Sequence, residues 1–195
     1  MGGGLARFWA SAGHDVMLGV GRDAERVQAL AAEIGGRAGS PADIAEFADV
    51  VVLATPWNAV AEAVATAGPF AGKVLIDCTN YFDNSGGPSG AEQIAGMAEG
   101  ARVVKAFNTV FASLYPELPT RIRPNMVYCG DDAEAKQLAA TLIQDAGFEP
   151  LDVGPLASAR EIEAFARLVI GLAYRQGKGP FFYRMSQPAE LNGGL

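Results

Sequence analysis

Met1-Gly2-Gly3-Gly4-Leu5-Ala6-Arg7 reads as the rear half of a glycine-rich strand-to-helix turn, the loop that receives a dinucleotide. A full G-x-G-x-x-G turn uses its first glycine for the tight bend. The second lets backbone approach a pyrophosphate, and the third packs helix on strand. With Gly2 or Gly3 as that third glycine, Leu5 to Ala12 is the helix, and its N-terminal N–H groups and dipole face a phosphate. The first strand and the two leading glycines are then expected upstream of Met1. The alternative is a flexible glycine start with no structural role.

Outward from this stretch, strand and helix signals alternate, the pattern of an α/β, doubly wound, mostly parallel sheet covered on both faces. His14 to Val20 reads as a strand. Asp23 is a suitable N-cap for a helix to Ile34, and Gly35-Gly36 stops it. A short strand near Arg37-Ala38 follows, then a helix over Pro41 to Phe47 capped by Ser40. The continuous apolar run Val50-Val51-Val52-Leu53-Ala54 predicts a buried central strand. Beyond it come a helix over about Asn58 to Ala67, a strand at Val74 to Asp77, a Gly/Ser/Asn-rich loop from Asn80 to Gly90 and a helix at Ala91 to Ala98. Strands are expected at Arg102 to Phe107, Met126 to Cys129 and Phe148 to Val153, with a helix at Ala133 to Ala146. From Ser158 to Tyr174, Ile162, Phe165, Ala166, Val169, Ile170 and Ala173 fall at helical spacing. We therefore expect one nucleotide-binding domain over residues 1–156 and a C-terminal helix and tail over 157–195, packed on the domain or on a partner subunit.

Half of the 195 residues are hydrophobic, yet no apolar run approaches the length of a membrane span, and the expected location is the cytoplasm. A net charge of −7 disfavours nucleic acid, whose phosphates demand clustered Lys and Arg. The expected partner is a small-molecule acceptor. Cys78 and Cys129 lack metal-ligand spacing and are expected as buried thiols, with no metal site.

The end of the first visible strand, His14 to Val20, selects the nucleotide. An NAD-selective fold places an Asp or Glu there to hold the ribose hydroxyls. Here Gly21 leaves room for a 2′-phosphate and the planar fork of Arg22 can clamp it, favouring NADP, with Arg26 one turn on to assist. The competing reading makes Asp23 the displaced ribose acid and predicts NAD. Ala54-Thr55-Pro56-Trp57, Asp77-Cys78-Thr79-Asn80 and Lys105-Ala106-Phe107-Asn108-Thr109 each follow a strand. In a parallel sheet they converge on the carboxyl edge where ligands bind. Thr55 and Asn80 are expected on ribose and nicotinamide, Pro56 fixes the turn, and Ala106 to Thr109, with Asn108, serve nicotinamide and acceptor. Trp57 is a candidate cover for the adenine, with simple packing as the alternative. Lys105 reads as a strand-edge charge and His14 as structural.

With these stretches goes a resemblance. Gly2 to Ala6, Ala12-Gly13-His14-Asp15-Val16, Gly21-Arg22-Asp23, Ala54-Thr55-Pro56, Ile76 to Asn80, Val103 to Thr109 and Gly130-Asp131-Asp132-Ala133 resemble the NADP oxidoreductases that depend on the deazaflavin coenzyme F420. Val-Lys-Ala-Phe-Asn-Thr is the most specific of these pieces. The resemblance implies a Rossmann-like fold binding NADP(H), hydride passing directly between the nicotinamide and a flat acceptor such as coenzyme F420, and a homodimer. It departs at the start, where the first strand, a central member of such a sheet, is absent. Hydride transfer asks a protein mainly for orientation, so no catalytic acid or base is expected. Two other functions fit the same features: a non-catalytic NADP-binding module that senses redox state or scaffolds a partner, and an imine-type reductase.

Overall fold

The structure, a computed structural model, describes residues 1–21, 23–82 and 86–188. Helix α1 (Gly2–Ser11) begins on the glycine triplet itself. A Cβ would lie 3.3 Å from Ala54 Cβ at Gly2, 3.0 Å from Leu30 Cδ2 at Gly3 and 2.5 Å from Tyr115 Cδ2 at Gly4. The triplet is thus a packed helix start and not a flexible lead, and the helix opens three residues earlier than the sequence suggested.

Strand β1 (Met17–Gly19) and strand β2 (Arg37–Gly39) pair in parallel over three residues, so the strand expected at His14 to Val20 is shorter than its apolar signal. Between them, α2 (Ala24–Ile34) is capped by Asp23, whose Oδ1 accepts from Arg26 N at 3.0 Å, and ends at Gly35 with φ +68°. Such a φ is cheap only without a Cβ. Next, α3 (Pro41–Phe47) starts on a reciprocal capping box, Asp43 N donating to Ser40 Oγ and Ser40 N to Asp43 Oδ2.

The remaining strands are β3 (Val50–Leu53), β4 (Val74–Asp77), β5 (Arg102–Lys105), β6 (Asn125–Gly130) and β7 (Glu149–Asp152). They form one sheet in the order β3-β4-β5-β6-β7, parallel except where β5 meets β6. The helices between them are α4 (Val60–Ala67), α5 (Gly90–Met97) and α6 (Ala133–Asp145). After β7, α7 (Ala159–Ile170) runs into one wider π turn at Gly171–Arg175.

Successive side chains of β4 and β5 point to opposite faces. Val74, Ile76 and Val104 join Leu5, Trp9, Phe107 and Phe148 in one core, while Leu75 and Val103 join Val51, Leu53, Ile94 and Ile162 in the other. Helix α7 buries Ile162, Ala166 and Val169, as its spacing predicted, and leaves Leu168 56% exposed. Among the described residues no helix is long and apolar enough to cross a membrane.

Two expectations are corrected. Val50 to Leu53 is an edge strand, not a central one. Among the described residues β1 and β3 each pair on one side only, so β1–β2 stands apart from the larger sheet, and Val50 and Val52 are only half-buried. The strand expected to run to Phe107 stops at Lys105, because Phe107 takes φ +66°, turning the chain out of the sheet.

Candidate active site

Three strand ends meet at one edge. After β3 the chain passes Ala54, against which Gly2 packs, so the N-terminus of α1 rests on the end of β3. Gly4 N and Leu5 N bond to Met1 O at 2.9 and 3.2 Å, and no side chain caps the helix. Next along the chain, the Thr55 hydroxyl is buried without a hydrogen-bond partner. Pro56, with φ −58° and ψ 147°, then turns the chain into a 3₁₀ turn at Trp57–Ala59. Trp57 stacks on Tyr81 with ring centroids 4.6 Å apart, so its ring covers that tyrosine.

After β4 and β5, two asparagines face each other. Asn108 Nδ2 donates to Asn80 Oδ1 at 3.0 Å, and Asn80 Nδ2 reaches Asn108 O at 3.4 Å. Asn108 Oδ1 and the neighbouring Thr79 hydroxyl are buried and unpartnered. The pairing depends on Phe107: a fully buried aromatic held at φ +66° is a costly conformation for a residue with a Cβ, and such strain collects at working sites. Among the described residues, three of the five unpartnered buried side-chain atoms lie at the ends of β3, β4 and β5. The other two are Arg102 Nε and the Tyr115 hydroxyl.

Other expected residues are placed differently. Ala106 is fully buried, and Thr109 is 2% exposed with its hydroxyl 2.6 Å from Tyr183 Oη, so neither offers a free polar side-chain group. The tail supplies that tyrosine, with Asn125 N bonded to Tyr183 O. Gly21 is exposed with open space around it. Arg22 lies outside the described residues. Asp23, the alternative ribose acid, uses one carboxylate oxygen to cap α2. His14 precedes β1, at the amino end of the strands, and pairs with Asp145 at 2.7 Å.

Lys105 is the largest departure from the sequence reading. It is no edge charge: it is fully buried, and its ammonium donates to Asp77 Oδ2 at 2.8 Å, Thr79 O at 2.6 Å and Glu163 Oε1 at 3.1 Å. Three donors meet three acceptors, so the ammonium is saturated. Glu163, from α7, also accepts from Gly90 N at 3.0 Å, joining α7, α5 and the ends of β4 and β5. Burial raises the Glu163 carboxyl above the ordinary range, with Lys105 opposing. The Cys78 thiol is pushed up by burial, and Cys129 likewise to about 12. Both are inert thiols at neutral pH.

A dinucleotide brings phosphates, ribose hydroxyls and a carboxamide. The free N-terminus of α1, the Thr55 hydroxyl and Asn108 Oδ1 are groups of the right chemistry for these in turn. Residues 1–81 match the family model for NADP oxidoreductase, coenzyme F420-dependent. An F420-dependent NADP reductase of Methanothermobacter thermautotrophicus is 34% identical over 197 residues, covering 88% of this chain and 84% of that protein. The chain belongs to this family. A solved structure of a proposed F420-dependent NADP reductase from Arthrobacter sp. FB24 superimposes with a TM-score of 0.81 at 30% identity, covering 95% of each chain. The metalloreductase STEAP3 of Rattus norvegicus is 39% identical over 101 residues, half of this chain but only 21% of that longer protein. The F420-dependent family membership makes the chain an NADP-dependent oxidoreductase on a Rossmann-like α/β fold.

The sequence reading missed Thr79 and Glu163. Thr79 was visible as a hydroxyl in a quoted strand end, whereas Glu163 carries no local signal, lying 58 residues from Lys105.

Proposed function

We propose that the carboxyl edge of β3–β5 holds NADP(H) and positions its nicotinamide for hydride transfer to a flat acceptor of the deazaflavin class. The observation that carries this reading is the set of buried, unpartnered atoms at successive strand ends: Thr55 Oγ1, Thr79 Oγ1 and Asn108 Oδ1. An unsatisfied buried hydroxyl or amide costs about 1–3 kcal/mol, so three together suit a polar ligand. The relatives that cover most of the chain are named as F420-dependent NADP reductases, which supports a deazaflavin as the acceptor.

In this reading Gly2, Gly3 and the following N–H groups receive the pyrophosphate, and Gly21 and Arg22 the 2′-phosphate. Pro56 aims Thr55 at a ribose. Asn80 holds Asn108 so that Asn108 Oδ1 accepts from the carboxamide N–H and fixes the ring plane. Ala106 and Thr109 act as backbone and packing behind that pair. The bound cofactor supplies the hydride itself. Lys105 keeps all three protons in hydrogen bonds, and no side chain is assigned a proton-transfer step. Residues 157–195 serve as an appended helix and tail to the 1–156 domain. We further infer a cytoplasmic location and a homodimer, the dimer supported by the exposed Leu168, Leu172 and Tyr174 on and after α7.

A fluorescence titration with NADPH and NADH, followed by turnover of NADPH with coenzyme F420, tests the proposal. Micromolar binding that prefers NADPH, loses the preference in Arg22→Ala and supports F420 reduction is expected. Turnover of imines but not F420 would replace the acceptor, and binding with no turnover of either would make the chain a non-catalytic module. A folded chain binding neither nucleotide would overturn the proposal.

A further inference from the structure

A recess of about 210 Å³ has Tyr81, the residue after Asn80, in its wall, together with Ser89, Arg160, Glu163 and Arg167. We propose that this recess is a subsite for an anionic side group, phosphate or carboxylate, carried by the hydride acceptor; this rests on the function proposed above.

Size excludes the ring system itself. Pockets that enclose whole drug-sized ligands run to about 300–1,000 Å³, so this recess suits a substituent. Its position suits one too. Tyr81 directly follows Asn80, and Lys105 bonds both the Thr79 carbonyl at 2.6 Å and Glu163 at 3.1 Å, so one ammonium links the nicotinamide edge to the recess wall. An acceptor lying against the asparagine pair has this recess at its margin.

The hydrogen-bond accounting gives the sign of the ligand. The Glu163 carboxylate is engaged by Lys105 and by Gly90 N. The Glu92 carboxylate is engaged by Ser89 N at 2.7 Å and Ser89 Oγ at 2.8 Å. What remains open is cationic. Arg160 is held only by a long ion pair to Glu92 at 3.9 Å, and Arg167 has no ion pair or side-chain hydrogen bond among the described residues. Seven residues apart on α7, with Glu163 between them, the two guanidiniums share one helix face. In a chain of net charge −7, two guanidinium forks at one recess, Arg167 without an ion pair among the described residues and Arg160 held only at 3.9 Å, are an anion receptor.

The test compares coenzyme F420, whose side chain carries phosphate and carboxylates, with the same deazaflavin truncated at its neutral ribityl group, in wild type and in the Arg160→Gln/Arg167→Gln double variant. The expected result is a KM in wild type roughly tenfold lower for the anionic acceptor, with the ratio falling to near one in the double variant. An unchanged ratio would overturn the subsite. If wild type reduces neither deazaflavin, the functional proposal fails, and the recess is judged by calorimetry with inorganic pyrophosphate in the presence of saturating NADP. Binding at least tenfold weaker in the double variant supports an anion subsite whose ligand is a free anion. Equal binding, or none by wild type, removes it.

Discussion

Replacing Lys105 by methionine removes the one cation from a buried cluster that holds two carboxylates. The change keeps an unbranched side chain one heavy atom shorter and deletes all three donors. Asp77, fully buried, and Glu163, 4% exposed, are then left with no counter-charge, and breaking a buried pair from one side costs about 3–5 kcal/mol. The Thr79 carbonyl loses its partner as well, so the loss should reach at least about 4 kcal/mol out of a typical domain stability of ~5–15 kcal/mol. With a urea slope near 2 kcal/mol/M, the unfolding midpoint falls by about 2 M. Glu163→Gln perturbs the same cluster in the opposite sense. It keeps an acceptor for Lys105 and Gly90 and leaves one ammonium facing one carboxylate, so at pH 7 the change should stay within about 1 kcal/mol. The pH dependence sharpens the contrast. Because burial raises the Glu163 carboxyl in the folded state above its ordinary value of 4.5, the folded chain binds that proton more tightly than the unfolded chain does. Wild-type stability relative to Glu163→Gln is therefore flat below about 4.5, falls as pH rises from there to the raised folded value, and is flat above it. Urea unfolding followed by circular dichroism from pH 4 to pH 9 measures both effects. Equal losses in the two variants, or a pH-independent difference between wild type and Glu163→Gln, would refute the account of the cluster.

Thr55→Val should weaken NADPH binding about three- to tenfold while leaving the melting temperature equal or higher, because a buried hydroxyl without a partner is costly and its loss relieves the fold; a lower melting temperature with unchanged affinity would contradict this. Gly4→Ala places a Cβ 2.5 Å from the Tyr115 ring, which is 4% exposed, so it should cost about 1–3 kcal/mol in a urea titration. A neutral result there would mean that α1 does not pack as described.

What the sequence disclosed and what it hid divide by the separation of the interacting groups. The capping box of α3 joins Ser40 to Asp43, three residues apart, and the αL stop of α2 is one glycine, so both are written in a few consecutive letters. The same holds for the strands whose apolar runs are unbroken. The state of a polar residue at the carboxyl edge is a different kind of fact, because it depends on whatever distant segment folds back upon it. Thr55 and Thr109 are both threonines just past a strand. One is left without a partner, while the other is taken by Tyr183 from 74 residues away. Lys105 looked like an edge charge because its acceptors come from β4 and from α7, 28 and 58 residues off. The glycine triplet shows both halves at once. Its place at the lead-in to a helix was legible locally, but that the helix opens on the glycines themselves, and that a Cβ there would be crowded, is set by Ala54, Leu30 and Tyr115. A motif thus locates the edge at which a cofactor binds, whereas long-range packing decides which of the motif's side chains still have a hydrogen bond to offer it.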